Sequence, residues 1–228
     1  PELLITILAT WRMGAIYQPL FTAFESKAIE HRINTAKTRL IVTNEEQRPK
    51  LNSVDVLHIL TVYQPNTLSQ QDDDFWTELI KQSSVFEPVM QTFKDDFLMM
   101  FTSGTTGLAK SVPVPLKAVL AFKGYMAYAV DLRPEDSFWN LADPGWAYGL
   151  YYGITGPLSL GHSIIMDERA FSVDHAVQII KKYKVSNLTG SPTAFRMFFG
   201  FKEKFDPSIK AHLRVVSSAG EPLTPEVI

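Results

Sequence analysis

The 228 residues include no cysteine, so this chain cannot build a disulfide framework or a thiolate metal site. That absence is compatible with a reducing compartment, and a cytoplasmic location is the expectation. An excess of one charge is lacking too: 22 Lys and Arg stand against 24 Asp and Glu, a net charge of -2. With no basic surplus to neutralise a phosphate backbone, nucleic acid is not an expected partner. No uninterrupted apolar run reaches the roughly 18 residues or more of a membrane span, and none is expected. The opening "PELLITILATWRMG" has neither a basic leader nor a cleavage site and resembles the inside of a helix. The closing "GEPLTPEVI" stops where Pro225 could start one. Both ends read as cuts, which predicts a fragment of a longer chain. The histidines at 31, 58, 162, 175 and 212 have no metal-ligand spacing and receive no role.

What is present is ordinary folding material. The chain is 46% hydrophobic and 20% charged, with 15 Phe for the core. Its length suffices for one large core or two small ones. Leu3, Leu4, Ile7, Leu8 and Trp11 recur at helical spacing, and "AIYQPL" follows as a short strand closed by Pro19. "SKAIEHRINTAK" then predicts a helix, "RLIVTN" and "VDVLHILTVY" strands, and the polar "QPNTLSQQDDD" an exposed loop with its three aspartates solvated. After Phe97 the alternation continues with strand "FLMMF", a helix near Leu116 to Val130, strand "SFWNLA", a helical stretch after Gly145 and strand "SIIM". Helix "SVDHAVQIIKKYK", strand "VSNLTG", helix "PTAFRMFFGF" and strand "LRVVSS" complete it. Such alternation predicts an α/β fold with largely parallel sheets flanked by helices.

The chemistry concentrates in "MMFTSGTTGLAKSV". Gly104 and Gly107 allow backbone angles closed to other residues, while Ser103, Thr105 and Thr106 offer hydroxyls. Exposed backbone N–H groups in such loops make anion-binding concavities, and Lys110 adds a mobile cation for a polyphosphate. A plain turn with an exposed lysine accounts for the same residues. Gly104 to Ser111 also comes within one residue of the triphosphatase pattern G-x-x-x-x-G-K-[ST], with Ala109 in place of its second glycine. That pattern needs a helix at its lysine, whereas "SVPVP" favours extended backbone.

"FTSGTTGLAKSV" resembles the phosphate-binding signature of AMP-forming acyl-CoA synthetases and their adenylating relatives. It departs from the usual family form at Ala109, where Pro is common, and at Ser111, where Gly is common. "LADPGWAYGLYYGITGPLSLG" is similar to the family's Ala-Asp-x-Gly-Trp segment, and "VVSSAGEPLTPEV" to its Gly-Glu-Pro segment, in the required order. Between them "LTGSPTAFRMFF" resembles the intervening strand and helix. The resemblance covers most of the chain, weakest over the first ninety residues, and points to the acetyl- to medium-chain branch.

The resemblance implies part of a large N-terminal domain, with residues 1–95 in a first subdomain and 96–228 carrying the loop and the acyl and adenine segments. Ser103, Gly104, Thr105, Thr106, Gly107 and Lys110 are implied as triphosphate contacts, with Lys110 and Thr105 catalytic and Thr105 beside magnesium. Gly220, Glu221 and Pro222 would line the adenine; Trp146, Ala147, Tyr148, Gly149 and Ala219 would surround the acyl group. The small side chains of Ala147 and Ala219 leave room beyond a two-carbon acid, and Tyr148 would cap it. ATP, Mg2+, coenzyme A and a small carboxylic acid are the implied partners. The family's Thr-Glu segment, ribose-binding Asp and small C-terminal domain with its catalytic lysine do not occur in this chain. Ligase inactivity of the 228 residues alone is therefore expected, and a nucleotide-binding module without turnover stays open as the alternative.

Overall fold

The computed structural model describes residues 1–64, 71–102, 108–201, 203 and 207–227. The chain forms two compact units, Pro1–Leu116 and Lys117–Ile228.

In the first unit, helices α1 (Glu2–Arg12) and α2 (Ser26–Ala36) precede strands β1 (Leu40–Asn44), β2 (His58–Val62) and β3 (Asp73–Asp74). These strands form a parallel sheet in the order β1-β2-β3. Ile29 and Ile33, four apart on α2, bury one helix stripe together with Ile41 of β1 and with Leu51. Helix α3 (Phe75–Ile80) was not visible in the sequence pattern. It starts where Asp74 accepts a hydrogen bond from the Thr77 N–H at 2.7 Å, an N-cap that satisfies one unpaired helix donor. Strands β4 (Asp96–Thr102) and β5 (Lys110–Pro115) pair antiparallel, an exception to the expected parallel order.

Two expectations need correction in this unit. "AIYQPL" is not a strand of its own: Tyr17 alone bridges to β4, its N–H donating to the Phe97 carbonyl and its carbonyl accepting from Met99. Pro19, two residues on, has no N–H to extend the pairing. Nor is Asp72 solvated, since the Asp72 and Arg48 side chains keep only 10% and 12% of their exposure. Arg48 donates through both Nε and Nη2, the latter at 2.8 Å, and Thr61 adds its hydroxyl at 2.8 Å. The guanidinium beside Asp72 holds its carboxyl below the usual range.

The second unit begins with α4 (Ala118–Tyr128). Strand β6 (Phe138–Asn140) follows, then a continuous helical stretch: α5 (Ala147–Gly149), a π-helical segment at Leu150–Thr155, and α6 (Gly156–Ser159). Helix α7 (Val173–Tyr183), strand β7 (Asn187–Gly190), α8 (Pro192–Gly200), α9 (Pro207–Lys210) and strand β8 (Val215–Ser218) complete it. The sheet is parallel in the order β6-β7-β8, and the central β7 is buried at all four residues. Helix α7 shows why its sequence was legible. Ser172 caps its first turn, Lys181 and Lys182 complement the last, and Val173, Ala176, Val177, Ile179 and Ile180 are buried. "SIIM" supplies only the single bridge of Ile165 to Trp139, so it too falls short of a strand.

Behind this sheet Asp136 is 1% exposed and accepts from Arg214, the Ser186 hydroxyl, the Arg133 N–H and Asn187. Burial opposes its ionisation, but these donors win and hold the carboxyl down at about 2. Arg214 also donates to Asp131, whose φ of 49° places it in the left-handed region.

Candidate functional site

The β4–β5 pair carries the candidate phosphate loop. Thr102 faces Lys110 and Phe101 faces Ser111 in register, so the two strands frame the loop's base. Ser103, Gly104, Thr105, Thr106 and Gly107 lie outside the described residues. Lys110 is exposed at the first position of β5. Where the triphosphatase pattern would open a helix, the chain runs as a strand. His31, given no role from sequence, approaches the carbonyl of Ala109 with its Nε2 at 2.7 Å. No local signal marks that contact, because 78 residues separate the pair.

In the second unit the Asp-Pro-Gly-Trp stretch makes a tight turn. Asp143 Oδ1 accepts from the Gly145 N–H at 2.6 Å and the Asp143 carbonyl from the Trp146 N–H at 3.0 Å. Burial raises the Asp143 carboxyl above its usual range. The turn delivers Trp146, 46% exposed, to the N-terminus of α5. Ala147, Tyr148 and Gly149 form α5 itself, and Gly149 is buried so tightly that a Cβ there would overlap the Asp143 carbonyl. Only glycine fits that approach.

Tyr148 enters an aromatic cluster. Its ring meets Tyr152 edge-on at 5.7 Å, Tyr152 stacks on Tyr125 at 4.0 Å, and Phe122 stacks on Tyr151 at 4.4 Å. Burial pushes the Tyr148 phenol up, and Tyr151 up to about 12. The Tyr148 hydroxyl is buried without a well-formed hydrogen bond, with Tyr125 and Ser217 as polar neighbours. Ser217 of β8 shares a 2.9 Å hydrogen bond with Thr189 of β7, so the Tyr148 hydroxyl of α5 lies beside a hydroxyl pair that joins the two strands. Ligands of open parallel sheets bind outside the carboxyl ends of the strands.

Ala219, half-buried, and Gly220, at φ +106°, continue from β8. Glu221 pairs with Arg196 of α8 at 2.9 Å and accepts the Thr193 hydroxyl at 3.0 Å, which holds its carboxyl below the usual range. The Pro222 carbonyl accepts from the same Arg196 at 2.9 Å. The fold thus brings Tyr148 beside Ser217, two residues before Ala219, and ties the Gly-Glu-Pro segment onto α8. Lys110 belongs to the other unit. Among the described residues, no three His, Cys, Asp or Glu side chains come together to hold a metal ion. Among them, too, no helix is long and apolar enough to cross a membrane.

The profile of the family described as AMP-binding enzyme matches residues 1–228, and the chain belongs to that family. Curated relatives include acetyl-coenzyme A synthetases of Cronobacter sakazakii, 30% identical over 99% of this chain and 38% of that protein, and of Bacillus subtilis, 32% identical over 100% and 41%. The chain therefore spans about two fifths of the length of these relatives. A crystal structure of an acyl-CoA synthetase from Brucella canis matches with TM-score 0.92 and 51% identity, covering 100% of this chain and 42% of that one. An anthranilate CoA ligase structure at 20% identity and TM-score 0.86, covering 97% of this chain and 44% of that one, shares the fold.

Proposed function

We propose that the protein carrying this sequence activates a carboxylic acid with ATP and passes the acyl group to coenzyme A. The substrate carboxylate attacks the α-phosphorus, its new P–O bond replacing the bond to pyrophosphate. The thiol sulfur then attacks the acyl carbon and AMP leaves. The observation that carries this reading is the family match over the whole chain, together with relatives named as acetyl- or acyl-CoA synthetases.

In this reading Lys110, with Ser103, Gly104, Thr105, Thr106 and Gly107, meets the triphosphate and offsets charge gathering on the departing pyrophosphate. Gly220, Glu221 and Pro222 line the adenine, while Trp146, Ala147, Tyr148, Gly149 and Ala219 surround the acyl group. Magnesium would neutralise phosphate charge when bound, with Thr105 beside it. The described residues offer no carboxylate cluster for it, and no step here runs through the metal.

The test is acid-dependent exchange of labelled pyrophosphate into ATP by the protein expressed from its own complete gene. Lys110→Ala should slow exchange by about 10²- to 10³-fold and shift stability by less than about 0.5 kcal/mol. Unchanged exchange removes Lys110 from the mechanism. Tight ATP binding with no exchange in the parent protein favours the binding module without turnover. The small Ala147 and Ala219 support propionate to medium-chain acids over acetate, although the relatives' names favour acetate. A chain-length series decides, because one methylene in a fitting pocket is worth about 1–3 kcal/mol. The 228 residues assayed by themselves should give no detectable exchange.

A further inference from the structure

Two neighbouring side chains of α2 reach Phe101 near the end of β4 and the peptide that precedes Lys110. His31 Nε2 lies 2.7 Å from the Ala109 carbonyl oxygen; a carbonyl only accepts, so Nε2 carries the proton and donates. The His31 ring also meets Phe101 edge-on, at 6.5 Å and 72°. Arg32 lies with its guanidinium carbon 4.0 Å from the Phe24 ring centre and 5.6 Å from that of Phe101. Its Nη1 donates to the Ala28 carbonyl at 2.8 Å, anchoring the guanidinium to its own helix. Phe101 and Thr102 end β4, and Ala109 immediately precedes Lys110, where β5 begins.

We infer that His31 is a positioning residue for Lys110, acting through the Ala109 carbonyl, with Arg32 bracing Phe101 on the facing strand. The inference rests on the reading of Lys110 as a triphosphate contact. A lysine ammonium rides on a flexible four-carbon stem, so its reach is set by where the backbone holds its Cα. Thr102 holds that backbone from one side through the ladder, and His31 fixes the peptide before it from the other. Rate is sensitive to such placement, since a displacement of about 1 Å far from the chemistry can cost about 100-fold.

The experiment compares His31→Phe, His31→Gln and His31→Asn in the protein expressed from its complete gene. Glutamine places an N–H about as far out as Nε2, whereas asparagine falls short. His31→Phe and His31→Asn should lower kcat for pyrophosphate exchange by about fivefold to tenfold, the worth of one hydrogen bond, with KM for ATP changed less than about twofold, the pattern of a contact made in the transition state. His31→Gln should restore the rate. His31→Phe combined with Lys110→Ala should be no slower than Lys110→Ala alone, because His31 acts only through that lysine. A merely structural histidine would give multiplying losses, and that result overturns the inference. Wild-type rates in His31→Asn, or a His31→Gln as slow as His31→Asn, overturn it as well while leaving the ligase reading intact. If His31→Phe fails to fold, the asparagine and glutamine pair carries the comparison. If the parent protein shows no exchange, the ligase reading falls. Amide hydrogen exchange across residues 108–112 then decides the contact: faster exchange in His31→Asn but not in His31→Gln supports it, and equal protection in all three overturns it.

Discussion

The two units use the same pair of residue types, arginine and aspartate, to opposite degrees. In the first, Arg48 and Asp72 form a two-pronged pair with one added hydroxyl, joining a turn to the residue before the edge strand β3. In the second, Asp136 gathers donors from four residues at one buried carboxylate, among them Ser186, just before the central strand, and Arg214, just before β8. Core size follows the same division: among the described residues eighteen buried hydrophobic residues lie in the second unit, eleven of them in one cluster around α7, β7 and α8, against ten in the first, four of them around α2 and β1. Both units leave apolar side chains in water, among them Ile80 at 80% and Met90 at 91% exposure in the first and Leu120 at 62% in the second, and the first carries the exposed Lys110. The difference lies in where charge is held: the second unit buries a multiply bonded carboxylate behind its larger core, while the first ties its Arg–Asp pair at a sheet edge.

Cavity formation should test that division most severely. Ile180→Ala, at a fully buried position of the larger cluster, should cost about 2–5 kcal/mol. Ile29→Ala, 6% exposed in the smaller one, should fall at the low end of that range. Denaturant unfolding followed by tryptophan fluorescence reads both units, through Trp139 and Trp146 in one and Trp11 and Trp76 in the other. Equal costs would break the comparison.

Asp136→Ala strands the Ser186, Asn187 and Arg214 donors together, and should cost about 3 kcal/mol. Asp72→Ala should cost less, because Arg48 keeps its Asn52 contact at 3.0 Å. The acid limb follows with its sign fixed. Asp136 is depressed from 3.8 to about 2 in the folded chain, so its contribution is complete above the unfolded value and is lost as pH falls through the folded one. Stability should therefore drop by about 2 kcal/mol across that window, and Asp136→Asn should flatten the drop. Smallest is Ser172→Ala, which removes the α7 N-cap and should cost about 1 kcal/mol, read from the same unfolding curves.

The elements that sequence revealed are those whose signal is local. Helix α7 declares itself through a serine cap, a 3.6-residue apolar stripe and terminal lysines. The candidate loop was legible for the same reason, since glycines, hydroxyls and lysine sit within eight residues. What escaped depends on partners distant in the chain. "AIYQPL" and "SIIM" have strand composition, but pairing needs a free ladder edge, and each finds one for a single residue. Asp72 looked like one of three surface acids until Arg48, 24 residues earlier, folded against it. Helix α3, with six residues, is too short for periodicity to stand out, and its aspartate cap lay inside what read as an acidic loop.

The π-helical segment at Leu150–Thr155 sets the phase between the Trp146–Gly149 turn and α6. Thr155 marks it, donating its hydroxyl to the Leu150 carbonyl five residues back at 3.0 Å. A wide turn of this kind holds one residue more than an α-helix allots. Deleting a single residue from it would let the helix run regularly, yet would rotate everything before it by about 100° relative to everything after, one residue's share of a 3.6-residue turn. Tyr148 could then no longer face the end of β8, although Gly149 would keep its approach to Asp143, because both precede the segment. The added residue acts as an angular offset, so this stretch should tolerate changes of side chain far better than changes of length.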